Sequence, residues 1–453
     1  MSNIFAEKRL RNFRLSNLQT IALGYAVVIL CGTLLLMLPF ASKSGVSASL
    51  LEALFTSTSA SCVTGLTVVD TDLTWSLFGQ IVILVLIQIG GLGFMTIATF
   101  LSIILRRKIG LRERQVMVQS INTTHIGGVL KLTKKIAIIT AVFELAGAAI
   151  FCIRFIPGYG LWKGIYYSVF HSVSSFCNAG LDLMGEHGQF SSLSAYRNDI
   201  LVNTTVMVLC IVGGVGFLVW DDILKNKFHF RKYQLHTKLV LSVSAILIFG
   251  GTLLYCAVEA DNGALGSTAP ERLFNALFLS VCSRSVGFST CDLSQLTDMG
   301  KIVSMFLMFI GGSPGSTAGG IKTTTAAVIV LFALAQIGHK QSTSVFGRRL
   351  EDDTLKDAVA VIWINLTIIV CGVLIISPIH DFNVLDIIFE VTAALSTTGW
   401  SLGITSSLHA VPRVVIIILM YFGRVGSVSF TLAFLEKKAR PRVTAPVEKI
   451  TVG

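Results

Sequence analysis

Long apolar runs alternate along this chain with short polar loops. Runs near or above the ~20 residues a helix needs to cross a bilayer cover residues 18–40, 78–105, 136–156, 200–219 and 239–258. Shorter apolar segments at 50–60, 164–176, 271–282 and 384–395 are too brief to cross and are predicted to be re-entrant helices. With 301–338, 358–376 and 411–435, the pattern becomes long helix, short helix, long helix, four times over.

Each short segment leads into a loop of one plan. The first is Ser59-Ala60-Ser61-Cys62-Val63-Thr64-Gly65-Leu66, and the second is Ser174-Ser175-Phe176-Cys177-Asn178-Ala179-Gly180-Leu181. The third is Val281-Cys282-Ser283-Arg284-Ser285-Val286-Gly287-Phe288, and the fourth is Ala394-Leu395-Ser396-Thr397-Thr398-Gly399-Trp400. The glycines at 65, 180, 287 and 399 recur at nearly constant intervals, as internal repeats require. Phe55, Phe170, Phe278 and Phe389 precede them, and glycine pairs or near-pairs at Gly90, Gly213, Gly311 and Gly423 follow. The repeat divides the chain into 1–105, 106–224, 225–338 and 339–453, the last three opening on polar or basic loops and the last ending in a short tail.

Composition supports a membrane protein: 53% of residues are hydrophobic and 13% are charged. The formal charge of +11 does not imply nucleic acid, because of where the charge lies. If every repeat starts and ends inside, 26 of the 36 Lys and Arg residues fall in the N-terminus, the inter-repeat loops and the C-terminus. That asymmetry predicts cytoplasmic termini and glycine loops near the outer face. The basic start before residue 18 resembles a signal peptide, but the apolar run is too long and no small-residue cleavage site follows it. None of the nine cysteines forms a CxxC pair, so no disulfide framework or resident metal is indicated.

Irregular backbone at membrane depth survives only where protein buries it or water reaches it. Four glycine loops around one axis would turn carbonyls inward and replace an ion's hydration shell, giving a cation pore within one chain. The carbonyls in question belong to Cys62, Val63, Thr64, Gly65; Cys177, Asn178, Ala179, Gly180; Arg284, Ser285, Val286, Gly287; and Ser396, Thr397, Thr398, Gly399. A second irregular stretch interrupts the 301–338 run: Gly311, Gly312, Ser313, Pro314, Gly315, Ser316, Thr317, Ala318, Gly319, Gly320. Five glycines and a proline break a helix, so this segment is expected to loop into the cavity beneath the pore and gate it. Its continuation, Ile321-Lys322-Thr323, imitates a phosphate loop, but one residue too many separates Gly320 from Lys322, and no strand precedes it. Nucleotide binding by this chain is therefore not expected.

Arg424 stands where earlier repeats have glycine. A charge within a membrane helix is costly and functional by default, so Arg424 is expected to form an electrostatic barrier, hold the looping segment's carbonyls, or anchor to a buried acid. Lys322, at the end of this segment, is the more ambiguous charge, with snorkelling to the interface as one reading. Asp70, Asp72, Asp182 and Asp292 follow the loops, where carboxylates would concentrate cations. His171 is read as a packed residue of its short helix, and no catalytic constellation is present. A secondary transporter of a small solute is the competing class, but such proteins favour inverted repeats.

On these loops the chain resembles the Trk/Ktr/HKT superfamily of potassium transporters over its whole length. The first and fourth loops, Cys62 to Leu66 and Ser396 to Trp400, are similar to that family's filter loops. The resemblance implies an all-α polytopic membrane protein with four parallel helix–pore loop–helix repeats, about eight transmembrane helices and four pore helices, around one pseudo-fourfold pore. It also implies potassium as the transported ion, with sodium as a possible activator, and a gating loop at 311–320. Serine at the first filter glycine goes with sodium permeation in this family, so four glycines imply potassium preference; sodium or ammonium permeation is the alternative. The start of the chain, close to the first repeat, points to the bacterial Ktr membrane subunit. A homodimer on a cytosolic ring of adenine-nucleotide-binding RCK subunits follows from that resemblance, with the basic loops 106–135 and 225–238 as docking surfaces.

Overall fold

The computed structural model describes residues 16–105, 110–120, 128–227, 229–339 and 342–426. The basic start, Arg106, Arg107 and Lys108, the end of the last apolar run and the tail lie outside them. The described chain is almost wholly helical, with one antiparallel pair, Ser344–Val345 against Arg348–Arg349, between the third and fourth repeats.

Each repeat opens with an outer helix: Asn17–Leu36, Val129–Tyr159, Leu235–Val258 and Asp352–Ile376. All four have a span long and apolar enough to cross a membrane. Their exposed Leu34, Leu145, Leu253 and Leu374 present apolar surface outward. Next come the pore helices Leu50–Cys62, Leu161–Phe176, Ala269–Cys282 and Val384–Leu395. At ~1.5 Å per residue none of them matches a hydrocarbon core of ~30 Å. Serine starts the first: Ser49 Oγ accepts from Glu52 N (3.3 Å), while Glu52 Oε2 accepts from Ser49 N (3.2 Å), closing a capping box. Phe55, Phe170, Phe278 and Phe389 are fully buried on these helices, which explains why they keep step with the glycines.

A further repeating contact fixes each pore helix to its outer helix. Ser57 Oγ donates to Ile29 O (2.7 Å), Ser172 Oγ to Glu144 O (2.6 Å) and Ser280 Oγ to Ile248 O (2.7 Å). Three residues beyond each of these carbonyls stands Gly32, Gly147 or Gly251, where any Cβ would strike the same hydroxyl. In the fourth repeat the partners are Val391 and Gly372, so the polar bond is replaced by apolar contact.

The inner helices depart from the sequence expectation. Residues 78–105 and 200–219 were each expected to form one helix. Instead, Leu77–Leu92 turns by 97° into Phe94–Ile104, and Ile200–Val215 turns by 93° into Phe217–Asn226. The breaks fall at Gly93 and Gly216, both at positive φ. In the third repeat Asp298–Phe309 and Thr323–Ile337 are separate helices, as the Gly/Pro run predicts. Ala410–Val425 ends at Gly426, again at positive φ. The basic loop 106–135 is also more ordered than expected: Leu111–Ser120 is helical, and Lys131, Lys134 and Lys135 belong to the second outer helix.

Gly216 has φ +102, and a Cβ there would lie 2.7 Å from Pro314 O. Gly216→Ala is therefore expected to cost about 1–3 kcal/mol in backbone strain and to unseat the segment containing Pro314. The expected readout is a lower apparent melting temperature in detergent; an unchanged melting temperature would show that the break does not support the fold.

Candidate ion pathway

The glycine loops share one turn. Past the end of each pore helix the chain doubles back, with Thr64 N donating to Ser59 O (2.8 Å), Ala179 N to Ser174 O (2.8 Å) and Thr398 N to Ala393 O (2.9 Å). The third loop makes the same turn shifted by one residue, Gly287 N to Cys282 O (3.5 Å). Two residues before each glycine, Val63, Asn178, Ser285 and Thr397 all hold left-handed backbone, with φ of 57, 60, 63 and 50°. Four matching departures of this kind, rare for non-glycine residues, mark one conformation built four times.

The loops then meet head to tail. A Cβ on Gly65 would lie 2.6 Å from Ala179 O, one on Gly180 2.5 Å from Val286 O, and one on Gly287 2.7 Å from Thr398 O. A Cβ on Gly399 would strike Thr64 O, which closes the circle. The carbonyl before each glycine is thus packed against the glycine of the preceding repeat. All four glycines have positive φ, between 66 and 95°. Only glycine meets both demands, the backbone angle and the missing side chain.

Three residues before the glycines, the side chains of Cys177, Arg284 and Ser396 bond to helix partners. Cys177 Sγ donates to Gln88 Oε1 (3.5 Å), beside Glu144. Arg284 reaches Ser244 on the third outer helix, Nη2 to Oγ at 3.3 Å. Ser396 Oγ donates back to Thr392 O (2.6 Å). The residues whose chemistry varies most between the loops therefore leave backbone carbonyls to define the ring. His171 is packed as expected: its Nε2 accepts from Leu183 N (3.3 Å) and its Nδ1 bonds Tyr167 O (2.7 Å).

Above the ring lies a cavity of about 500 Å³ whose lining includes all four glycines, Asp70, Asp182 and Asp292. The carboxylates also serve the local fold. Asp70 Oδ1 accepts from Asp72 N (2.9 Å) and Leu73 N (3.0 Å), its Oδ2 accepts from Phe190 N (3.0 Å), and Asp72 pairs with Lys43 (3.4 Å).

Below the ring lies segment 310–322. Thr317 Oγ1 donates to Phe176 O (3.2 Å) at the foot of the second pore helix, and Gly319 N to Ser285 Oγ (2.9 Å) in the third loop. The broken second inner helix holds it from the side: Ser313 N donates to Gly214 O (3.0 Å), Thr317 N to Gly213 O (3.3 Å), and Phe217 N to Gly315 O (2.8 Å). A second cavity, about 310 Å³, opens beneath and is lined in part by Gly315, Ser316, Lys322 and Arg424.

Arg424 donates to Thr317 O and Gly90 O, and its Nη2 also reaches Gly91 O (3.1 Å). Its described partners are thus carbonyls and Tyr25, not an acid, so the carbonyl-holding role is the one its geometry matches. Lys322 Nζ donates to Ala318 O (2.8 Å) within the segment. Inner-helix glycines also stack on the pore-helix feet: Cβ atoms on Gly90, Gly213 and Gly423 would strike Ser61 O, Phe176 O and Leu395 O. In the third repeat Gly311 meets Gly319 O instead, so the segment itself fills that place.

A pseudo-fourfold ring of carbonyls between two cavities, in a helical membrane protein with parallel repeats, defines a cation transporter. The chain belongs to the TrkH family of cation transport proteins, which it matches over residues 12–442. It is 40% identical to the potassium/sodium uptake protein NtpJ of Enterococcus hirae, covering 99% of both chains. It is 37% identical to the Ktr system potassium uptake protein B of Bacillus subtilis, again over 99% of each. Its fold matches the potassium transporter TrkH from Vibrio parahaemolyticus with a TM-score of 0.72 at 19% identity, covering 93% of this chain and 85% of that one. The chain is therefore a multi-pass membrane transporter of the potassium and sodium uptake class, and not an enzyme.

Proposed function

We propose that this chain takes up potassium across the cell membrane through the ring at Gly65, Gly180, Gly287 and Gly399. The observation that carries this reading is the head-to-tail packing of the carbonyls of Thr64, Ala179, Val286 and Thr398 on those glycines. Carbonyl rings replace a potassium ion's hydration shell without a charged side chain. Sodium permeation is the second reading, because a relative of 40% identity is named for uptake of both ions. Flux into proteoliposomes loaded with potassium, rubidium or sodium gradients tests both. Potassium and rubidium flux well above sodium supports the first, equal fluxes support the second, and no cation flux in any gradient overturns both.

The segment Gly311 to Gly320 acts in this proposal as the gate, lying between the ring and the lower cavity, and Arg424 is its latch. Hydrogen bonds to a charged donor contribute about 1.5–3 kcal/mol, so Arg424→Ala is expected to raise potassium flux about tenfold. An unchanged flux from a protein that purifies as well as wild type would remove the latch.

The four repeats are the proposed units of organisation, with both termini in the cytoplasm. By the resemblance to Ktr membrane subunits, the chain works as a homodimer on a cytosolic ring of adenine-nucleotide-binding subunits. Capture of such a ring by the purified chain, lost when Lys131, Lys134 and Lys135 are neutralised, tests this; capture unaffected by that change places docking elsewhere.

A further inference from the structure

Ser285 hydrogen-bonds both the gate segment and the fourth filter loop, beside the place where Thr397 packs on Gly319. Its hydroxyl is fully buried and accepts the N–H of Gly319 (2.9 Å). The same oxygen lies 2.9 Å from Ser396 O, 3.0 Å from Thr397 O and 3.1 Å from Thr397 Oγ1. A serine hydroxyl has one proton to give, so it can serve only one of the fourth loop's acceptors at a time.

The equivalent position in the other three repeats has the same left-handed backbone and a different use. Val63 has no polar group, and Asn178, with its amide oriented to suit its neighbours, donates to Ser175 O (3.0 Å) and Cys210 O (3.2 Å) within its own repeat. Thr397 faces Ser285 and packs against Gly319 of the segment, with no hydrogen bond to it among the described residues. The four loops are alike in shape, yet among the described residues this position bonds to the gate segment only in the third.

We infer that Ser285 couples the gate to the filter, so that the seated segment sets the strength of the carbonyl field offered to the ion by the fourth loop. This rests on the segment being the gate. With the segment seated, Gly319 N–H occupies the acceptor side of the hydroxyl and directs its proton toward the carbonyls of Ser396 or Thr397. A carbonyl that already accepts a hydrogen bond offers a cation less. When the segment leaves, the hydroxyl is released to rotate and those oxygens are free to face the ion. Gate closure and weakened ion binding are then one event.

The test is a cycle of Ser285→Ala and removal of residues 312–319, alone and together, read by rubidium flux and by potassium affinity in detergent titrations. Ser285→Ala in the full chain is expected to raise flux about two- to tenfold, the range set by losing one net hydrogen bond, and to tighten potassium binding. In the shortened chain the same substitution is expected to shift both by a smaller factor, because no seated segment directs the hydroxyl's proton. Ser285→Thr keeps the hydroxyl and is expected to shift flux and affinity less than Ser285→Ala does in the full chain. Equal shifts in the full and shortened chains would overturn the coupling while leaving the gate intact. A shortened chain with no rise in flux would instead overturn the gate, and the coupling with it. Potassium-dependent thermal stabilisation of each variant establishes that it is folded; if Ser285→Ala fails that check, Ser285→Gly, which also removes the hydroxyl and suits the positive φ, replaces it in the same cycle.

Discussion

Deletion of Gly312 to Gly319 is expected to raise potassium flux on the order of a hundredfold. The structure makes this a clean deletion, because the segment is closed at its neck. A Cβ on Gly311 would lie 3.3 Å from Gly320 Cα, and Ile310 pairs with Ile321, so the ends to be joined already touch. Neither flanking helix, Asp298–Phe309 or Thr323–Ile337, has to move to restore the chain. What is lost is a set of separate tethers: to Gly213, Gly214 and Phe217 at the side, to Phe176 and Ser285 above, and to Arg424. Each ordinary hydrogen bond contributes about 1 kcal/mol net, so losing any single one changes flux by about a factor of five. Losing two or three bonds' worth together reaches the hundredfold range. The measurement is initial rubidium uptake at matched protein density. A shortened, folded chain that transports no faster than wild type would mean that the segment does not obstruct the pathway.

What the sequence reveals of this arrangement, and what it hides, follows from how each contact constrains residue type. The four loops were legible because their glycines answer two demands at once and so recur at nearly constant spacing, each followed by one large apolar residue. The buried phenylalanines keep step for the same reason, one fixed pocket per repeat. The spacing of 33 residues between Gly180 and Gly213, against 24 or 25 elsewhere, comes from the extra outer turns Gly185–His187 and Ser194–Tyr196.

The bends at Gly93 and Gly216 were not legible, since a single glycine in an apolar run is compatible with a continuous helix. The third repeat announced its break only because it concentrates five glycines and a proline. The serine-on-glycine contacts of Ser57, Ser172 and Ser280 could have been found by aligning the repeats on their phenylalanines, two residues further on. The outward turn of Arg284 could not. Its partner Ser244 is 40 residues away and ordinary in type. The double use of Asp70 was equally hidden, because its N–H partners belong to backbone, which carries no sequence signal. Arg424 was conspicuous as a charge, and its carbonyl partners were one of three foreseeable outcomes.

Gly65→Ser is expected to lower the potassium-to-sodium flux ratio by about tenfold or more, and the geometry says which loop it damages. The new Cβ would stand 2.6 Å from Ala179 O, a backbone atom that cannot swing aside like a side chain. The carbonyl displaced therefore belongs to the second loop, not to the substituted one. Positive φ adds strain of about 1–2 kcal/mol, and strain alone could loosen any loop. Gly403→Ser separates the two causes. Gly403 has φ +91, close to the +95 of Gly65, but nothing lies within 4 Å of its would-be Cβ. It should lose a comparable amount of stability and keep its ion preference. Because the packing runs head to tail, Gly287→Ser should resemble Gly65→Ser, its Cβ meeting Thr398 O at 2.7 Å. Flux ratios from paired potassium and sodium gradients decide the matter. If Gly403→Ser shifts the ratio as far as the two ring variants, discrimination does not reside in the carbonyls of Thr64, Ala179, Val286 and Thr398. If only the ring variants shift it, the spacing of those four oxygens is what distinguishes the ions.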